Sequence, residues 1–142
     1  PVFQPEELPW RVAAGWNWFS SVVPIDRELR LWVWRDEVLD TFEKVMQRPA
    51  DYTALGRNYS QGFEFRVTSA IRDASAEAIS AVYALGLDFG AVDLIVGKDG
   101  LTRVLELNTA GGVIRSGAQA TLAKLADRIA DWCRADCPEH GR

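Results

Sequence analysis

The chain has 142 residues, 48% of them hydrophobic and 25% charged, with a formal net charge of −4. These proportions fit one compact domain and exclude a disordered tail, a collagen-like repeat and a disulfide-dense mini-protein. Lys and Arg are scattered under a pI near 5.0, which argues against electrostatic nucleic-acid binding, and no apolar run approaches the ~20 residues of a membrane span. The opening PVFQPEELPW lacks the basic and apolar regions of a secretory signal, and two cysteines make no disulfide framework. The expectation is a cytoplasmic protein with no nucleic-acid or membrane partner.

Residues 1–27 are rich in Pro and Trp and have no sustained period, which predicts an irregular N-terminal arm with a short strand at 19–23. Five of the six tryptophans (Trp10, Trp16, Trp18, Trp32, Trp34) lie in the first 34 residues. From Glu28 the pattern sharpens. ELRLWVW alternates, so that Leu29, Leu31 and Val33 share one face of a strand and Glu28, Arg30, Trp32 and Trp34 the other. A turn at 35–37 leads to a second strand from Val38 to about Arg48, ended by Pro49. A polar loop over 50–61 precedes a short strand at 63–67. Asp73 is the expected N-cap of a helix whose Ile79, Val82, Tyr83 and Leu85 form an apolar stripe, and Gly86 closes it. Strands at 88–97 and 101–107 flank Asp99-Gly100, a strong hairpin signal. Ser116 and Gln119 predict a capping box for a C-terminal helix with Leu122, Leu125, Ala126, Ile129 and Trp132 at helical spacing. The sum is α+β, an antiparallel sheet built from hairpins and packed against two helices.

Register arithmetic singles out the last hairpin. If Asp99 and Gly100 are the central residues of a two-residue turn, Lys98 pairs with Leu101. Asp93 then lies opposite Glu106 and Ala91 opposite Asn108, so Asp93, Glu106 and Asn108 share one face. Facing carboxylates repel and cost stability unless something offsets them. Two carboxylates and an amide oxygen suit a hard divalent cation such as Mg²⁺; solvated charges on an open face are the alternative. Val92, Leu94, Leu105 and Leu107 are expected to pin this hairpin against the helices. In the first hairpin, a three-residue turn pairs Trp34 with Val38, Arg30 with Phe42 and Glu28 with Lys44. Arg30 and Lys44 are cations suited to a polyphosphate beside such a metal. A plain Glu28–Lys44 ion pair of roughly 0.2–1 kcal/mol is the better-favoured alternative from spacing alone. Trp32 and Trp34 share that face, and packing is their expected job. Cys133, Cys137 and His140 lack a fourth ligand and read as a helix end and tail, not a zinc site.

The run ALGLDFGAVDLIVGKDGLTRVLELNTAGG (84–112) resembles the C-terminal signature of ATP-grasp proteins, in which a strand bearing Asp is followed by a hairpin and an E-x-N motif. RELRLWVW (27–34) resembles the family's E-x-R strand, Lys44 sits where the next strand carries a basic residue, and RNYSQGFEF (57–65) resembles the loop and strand that follow. The match runs from about residue 20 to 125 and is similar to short bacteriophage-type ATP-grasp proteins. The resemblance implies an ATP- and Mg²⁺-dependent ligase, with Mn²⁺ as an alternative ion, that activates a carboxylate as an acyl phosphate for attack by an amine or similar nucleophile. Its substrates would be small-molecule or peptide carboxylates and amines. By position, Asp93, Glu106 and Asn108 would hold the metal, and Glu28 would bind the ribose. Arg30 and Lys44 would meet phosphate oxygens and act in catalysis, Leu105 would line the adenine pocket, and residues 20–25 would form the hinge. A catalytically idle nucleotide- and metal-binding module is the alternative. Asn108-Thr109-Ala110-Gly111-Gly112 lacks the family's proline before the glycine, and residues 1–19 are too few for the N-terminal subdomain. The expected organisation is therefore an arm (1–19), a C-terminal ATP-grasp subdomain (20–136) and a tail (137–142). Trp10, Trp16 and Trp18 would be left exposed and prone to association.

Overall fold

The computed structural model describes residues 4–17, 21–47, 62–110 and 119–135. Five antiparallel strands form one sheet in the order β3-β2-β1-β4-β5, with β1 Ile25–Trp34, β2 Glu37–Met46, β3 Phe63–Val67, β4 Phe89–Gly97 and β5 Thr102–Asn108. Three helices accompany it: α1 (Leu8–Ala13), α2 (Arg72–Ala84) and α3 (Gln119–Ala135). The expected α+β class holds. The arm is not irregular throughout, because a 3₁₀ turn at Pro5–Glu7 runs into α1, with Gln4 and Glu7 closing a capping box. Residues 21–24 are not strand; Pro24 lacks the N–H that a ladder needs, and pairing begins at Ile25. Residues 19 and 20, the 50–61 loop, Ser116, Cys137 and His140 lie outside the described residues. Among those described, no helix is long and apolar enough to cross a membrane.

The alternation in β1 divides the core in two. Leu29, Leu31 and Val33 join Val92 and Leu94 of β4 beneath α2, which contributes Ala74, Ala78 and Val82. The other face gathers Trp32, Leu39, Phe42 and Ala91, with Trp34, Phe65, Phe89 and Leu125 of α3 packed against them. Trp32 is fully buried, as packing requires, and stacks on Phe89 at 5.7 Å between centroids. Small residues at i, i+4 and i+8 let α2 lie close on the sheet. The stripe therefore differs from the expected one: Val82 and Ile79 face the core, whereas Tyr83 is 85% exposed and Leu85 is also outside. Asp73 is not the cap. Ile71 occupies that position and Asp73 sits in the first turn, where its charge complements the helix dipole. The C-terminus behaves as expected, since Gly86 at φ 65 lets Leu87 N–H reach Val82 O and Gly86 N–H reach Tyr83 O.

Both hairpin turns differ by one residue from expectation, and in both a β-bulge restores the expected register further along. In the first, Trp34 pairs with Glu37 and Val33 with Val38, leaving Arg35-Asp36 as the turn; Leu39 is the extra residue, beyond which Arg30 faces Phe42. In the second, Gly97 N–H donates to Leu101 O at 2.9 Å across Lys98, Asp99 and Gly100, and Gly100 adopts φ 79. Leu105 is the extra residue here, so Val104 faces Leu94 while Glu106 faces Asp93 and Asn108 faces Ala91. The Asp99 carboxylate fixes this turn. It accepts from Leu101 N–H at 3.0 Å and from Arg103, whose guanidinium chiefly holds the Asp99 carboxyl down at about 2. Bulges of this kind bend a strand and re-aim its side chains. Leu105 is 55% exposed at its bulge and does not pin the hairpin, a role left to Val92, Leu94 and Leu107.

Candidate functional site

The face of the sheet opposite α2 carries a row of side chains contributed by four adjacent strands. Phe42, Arg30, Asp93 and Glu106 follow one another across β2, β1, β4 and β5. Arg30 forks onto both oxygens of Asp93, with Nε to Oδ1 and Nη2 to Oδ2 each at 2.6 Å. This bidentate, charge-assisted pair is what offsets the two facing carboxylates. Asp93 is only 7% exposed, and its carboxylate raises Arg30 further above the ordinary guanidinium range, with smaller help from Glu106 and Glu28.

A second ion pair lies one step along the strands. Lys44 Nζ donates to Glu28 Oε1 at 2.5 Å, and Glu28 is itself 7% exposed. Phe65, opposite Lys44 in the β2–β3 ladder, completes the cluster. Its ring lies 4.7 Å from the Arg30 guanidinium carbon and 5.7 Å from Lys44 Nζ. Two cations and two carboxylates are thus largely withdrawn from water in the middle of a sheet. The arrangement is costly to build, and each charge needs its partner. At the β5 edge, Asn108 Nδ2 donates to Glu106 Oε1 at 2.8 Å. That bond uses the donor end of the amide and leaves its carbonyl oxygen, the end that ligates cations. The donor set of Asp93, Glu106 and Asn108 is all oxygen, which fits a hard divalent cation. Among the described residues there is no group of three or more His, Cys, Asp or Glu placed to hold a metal, so such an ion would depend on the amide and on oxygens from outside the chain.

No protein family matches the chain by sequence, and no curated protein does. Solved structures do match. The ATP-grasp ligase PsnB complexed with minimal precursor aligns with a TM-score of 0.58 at 18% identity, over 78% of this chain and 36% of that one. The macrocyclase MdnB from Microcystis aeruginosa MRC gives 0.55 at 19% identity over 93% and 46%. D-alanine–D-alanine ligase from Bacillus anthracis, complexed with ATP, gives 0.56 at 19% over 92% and 47%. The fold is ATP-grasp-like. This chain spans less than half the length of each of these three proteins.

Within this ATP-grasp-like fold, six of the seven residues singled out from sequence (Glu28, Arg30, Lys44, Asp93, Glu106, Asn108) share one face, linked by the registers above. Leu105 stands apart at the bulge of β5. Phe65 was not foreseen. Its strand was legible, but the β2–β3 register that sets it opposite Lys44 depends on pairing across a long loop, for which no turn signal exists.

Proposed function

We propose that this sheet face binds the polyphosphate of ATP together with a divalent cation, as the nucleotide-holding part of an ATP-dependent carboxylate–amine ligase. The observation that supports this best is the four-strand row in which Arg30 forks onto Asp93 beside Glu106. A guanidinium fork that fits a carboxylate also fits two phosphate oxygens. Arg30 and a cation both claim the oxygens of Asp93. An incoming polyphosphate therefore offers Arg30 an equivalent acceptor and releases Asp93 to join Glu106 and Asn108. Lys44 would meet the same phosphate chain, Glu28 the ribose, and Leu105 the base. When bound, the cation would neutralise charge on phosphate oxygens.

In the proposed reaction the γ-phosphoryl passes to a carboxylate oxygen, giving an acyl phosphate and ADP, and an amine then displaces phosphate to form an amide. Arg30 and Lys44 would stabilise the charge that develops on the transferring group, in a largely water-excluded setting where such contacts are strong. Several structural neighbours were solved with precursor peptides, as PsnB and MdnC were, which makes a peptide carboxylate or amine a suitable class to try alongside small molecules. Equilibrium titration of ATP with Mg²⁺ tests the binding half. Arg30→Gln and Lys44→Gln should each weaken ATP about tenfold or more, the scale of a charge-assisted hydrogen bond. Equal affinity in all three proteins would overturn the reading. ADP release that depends on added carboxylate and amine separates a ligase from an idle nucleotide-binding module.

A further inference from the structure

The structure assigns Phe65 a positioning role in this site: its ring is the shared platform that holds Arg30 and Lys44 side by side for one polyphosphate. The inference rests on the proposed function above and adds a residue from β3, a strand whose own charged residues, Glu64 and Arg66, pair with each other outside the site. Three observations converge on it. The cross-strand pairing Lys44–Phe65 puts the ring beside the ammonium by register, independently of any side-chain rotamer. Both cations lie within cation–π range of the same ring, at 4.7 Å and 5.7 Å. The ring is itself half-buried and anchored against the Trp32, Leu39, Phe42 and Ala91 cluster, so it is a fixed surface and not a mobile lid.

The physical role follows from what these two cations must do. Each is held by a carboxylate, Arg30 by Asp93 and Lys44 by Glu28, and each would have to turn toward phosphate oxygens when a nucleotide enters. Two long side chains released together would scatter over many rotamers and repel one another. A neutral aromatic face attracts both without competing for their hydrogen bonds, so it keeps them adjacent while their acceptors change. An aliphatic side chain of similar volume fills the space but supplies no such attraction.

The test replaces Phe65 with 3,4,5-trifluorophenylalanine, which nearly preserves shape while removing most of the negative potential on the ring face, and in parallel with Leu. Inorganic tripolyphosphate and Mg²⁺–ATP are titrated against the full chain, with thermal melts on the same samples. The expected result is about two- to fivefold weaker tripolyphosphate binding in the fluorinated protein, the scale of the cation–π attraction, and at least as large a loss in Phe65→Leu. The melting temperature of the fluorinated protein should stay close to wild type. Wild-type affinity in the fluorinated protein would overturn the inference while leaving the proposed function standing, and so would an affinity loss seen only in Phe65→Leu together with a lower melting temperature. Failure of the wild type to bind either ligand would overturn the proposed function, and the positioning role with it.

Discussion

Asp93 faces Glu106 across the β4–β5 ladder and is held by Arg30 from the other side. Taken alone, two carboxylates facing each other across β4 and β5 are a source of repulsion, and neutralising either should stabilise the chain. The Arg30 fork reverses the sign for one of them. Asp93→Asn leaves a largely buried guanidinium with a neutral partner and should cost about 2–4 kcal/mol, near the loss on breaking a buried pair. Glu106→Gln, at the exposed edge, should fall within about 0.5 kcal/mol of wild type. Urea titrations of the two single variants check this. Stabilisation by both would mean that repulsion, not the fork, governs the pair. Gly86 makes a separate point. Its φ of 65 is tolerated by glycine alone without strain, and a Cβ there would meet nothing within 4 Å. Gly86→Ala should therefore cost about 1 kcal/mol through the backbone only, measured as a shift in the urea midpoint at unchanged slope.

At the scale of elements, the hairpins explain how much of the site was legible. Asp93 opposite Glu106 and Arg30 opposite Phe42 follow from counting along β4–β5 and β1–β2, yet both counts start from turns that are one residue off. Leu39 and Leu105 bulge out and restore the register. Alternation of apolar and polar residues constrains a strand more strongly than turn length does, because slipping by one residue would exchange the buried and exposed faces. The helices were less legible. In α2 the buried stripe is Ala74, Ala78 and Val82, where size and not hydrophobicity decides, so Tyr83 and Leu85 mislead. In α3, Leu125 packs on the core and Trp132 is half-buried beneath the Arg35 guanidinium, while Leu122, Ala126 and Ile129 lie exposed.

Polar contacts hold α3 in place. Thr121 and Lys124 bond to Asp40 at 2.8 and 2.7 Å, and Arg128 forks onto Glu37 at 2.6 and 2.8 Å. The Arg128 guanidinium lowers the Glu37 carboxyl below its ordinary 4.5. A carboxylate with a depressed folded-state value contributes its stability in full above the unfolded value and loses it as pH falls through the folded one. The stability difference between wild type and Glu37→Gln should accordingly be constant from neutral pH down to about pH 5 and shrink below 4.5. Paired thermal melts across that range test it, and a difference that persists unchanged at pH 2 would contradict the assignment.

At the scale of the whole molecule, the described residues form one sheet with α2 packed on one face and α3 on the other, where it meets β1 and β2. Trp10 is 79% exposed on α1, and Trp16 and Leu8 are also outside. Large apolar side chains left in water together favour association, so sedimentation should show concentration-dependent self-association that Trp10→Ser reduces. A monomer at every concentration would remove that expectation.

The charged face is proposed to bind nucleotide and cation through Asp93. The most direct test is a thermal melt of the wild type and Asp93→Asn, each with and without millimolar Mg²⁺ plus ATP. A ligand that binds only the folded state raises its melting temperature. A clear rise is expected for the wild type and none for Asp93→Asn, measured against each protein's own baseline. An unmoved wild-type curve, or an equal rise in the variant, would contradict the proposal.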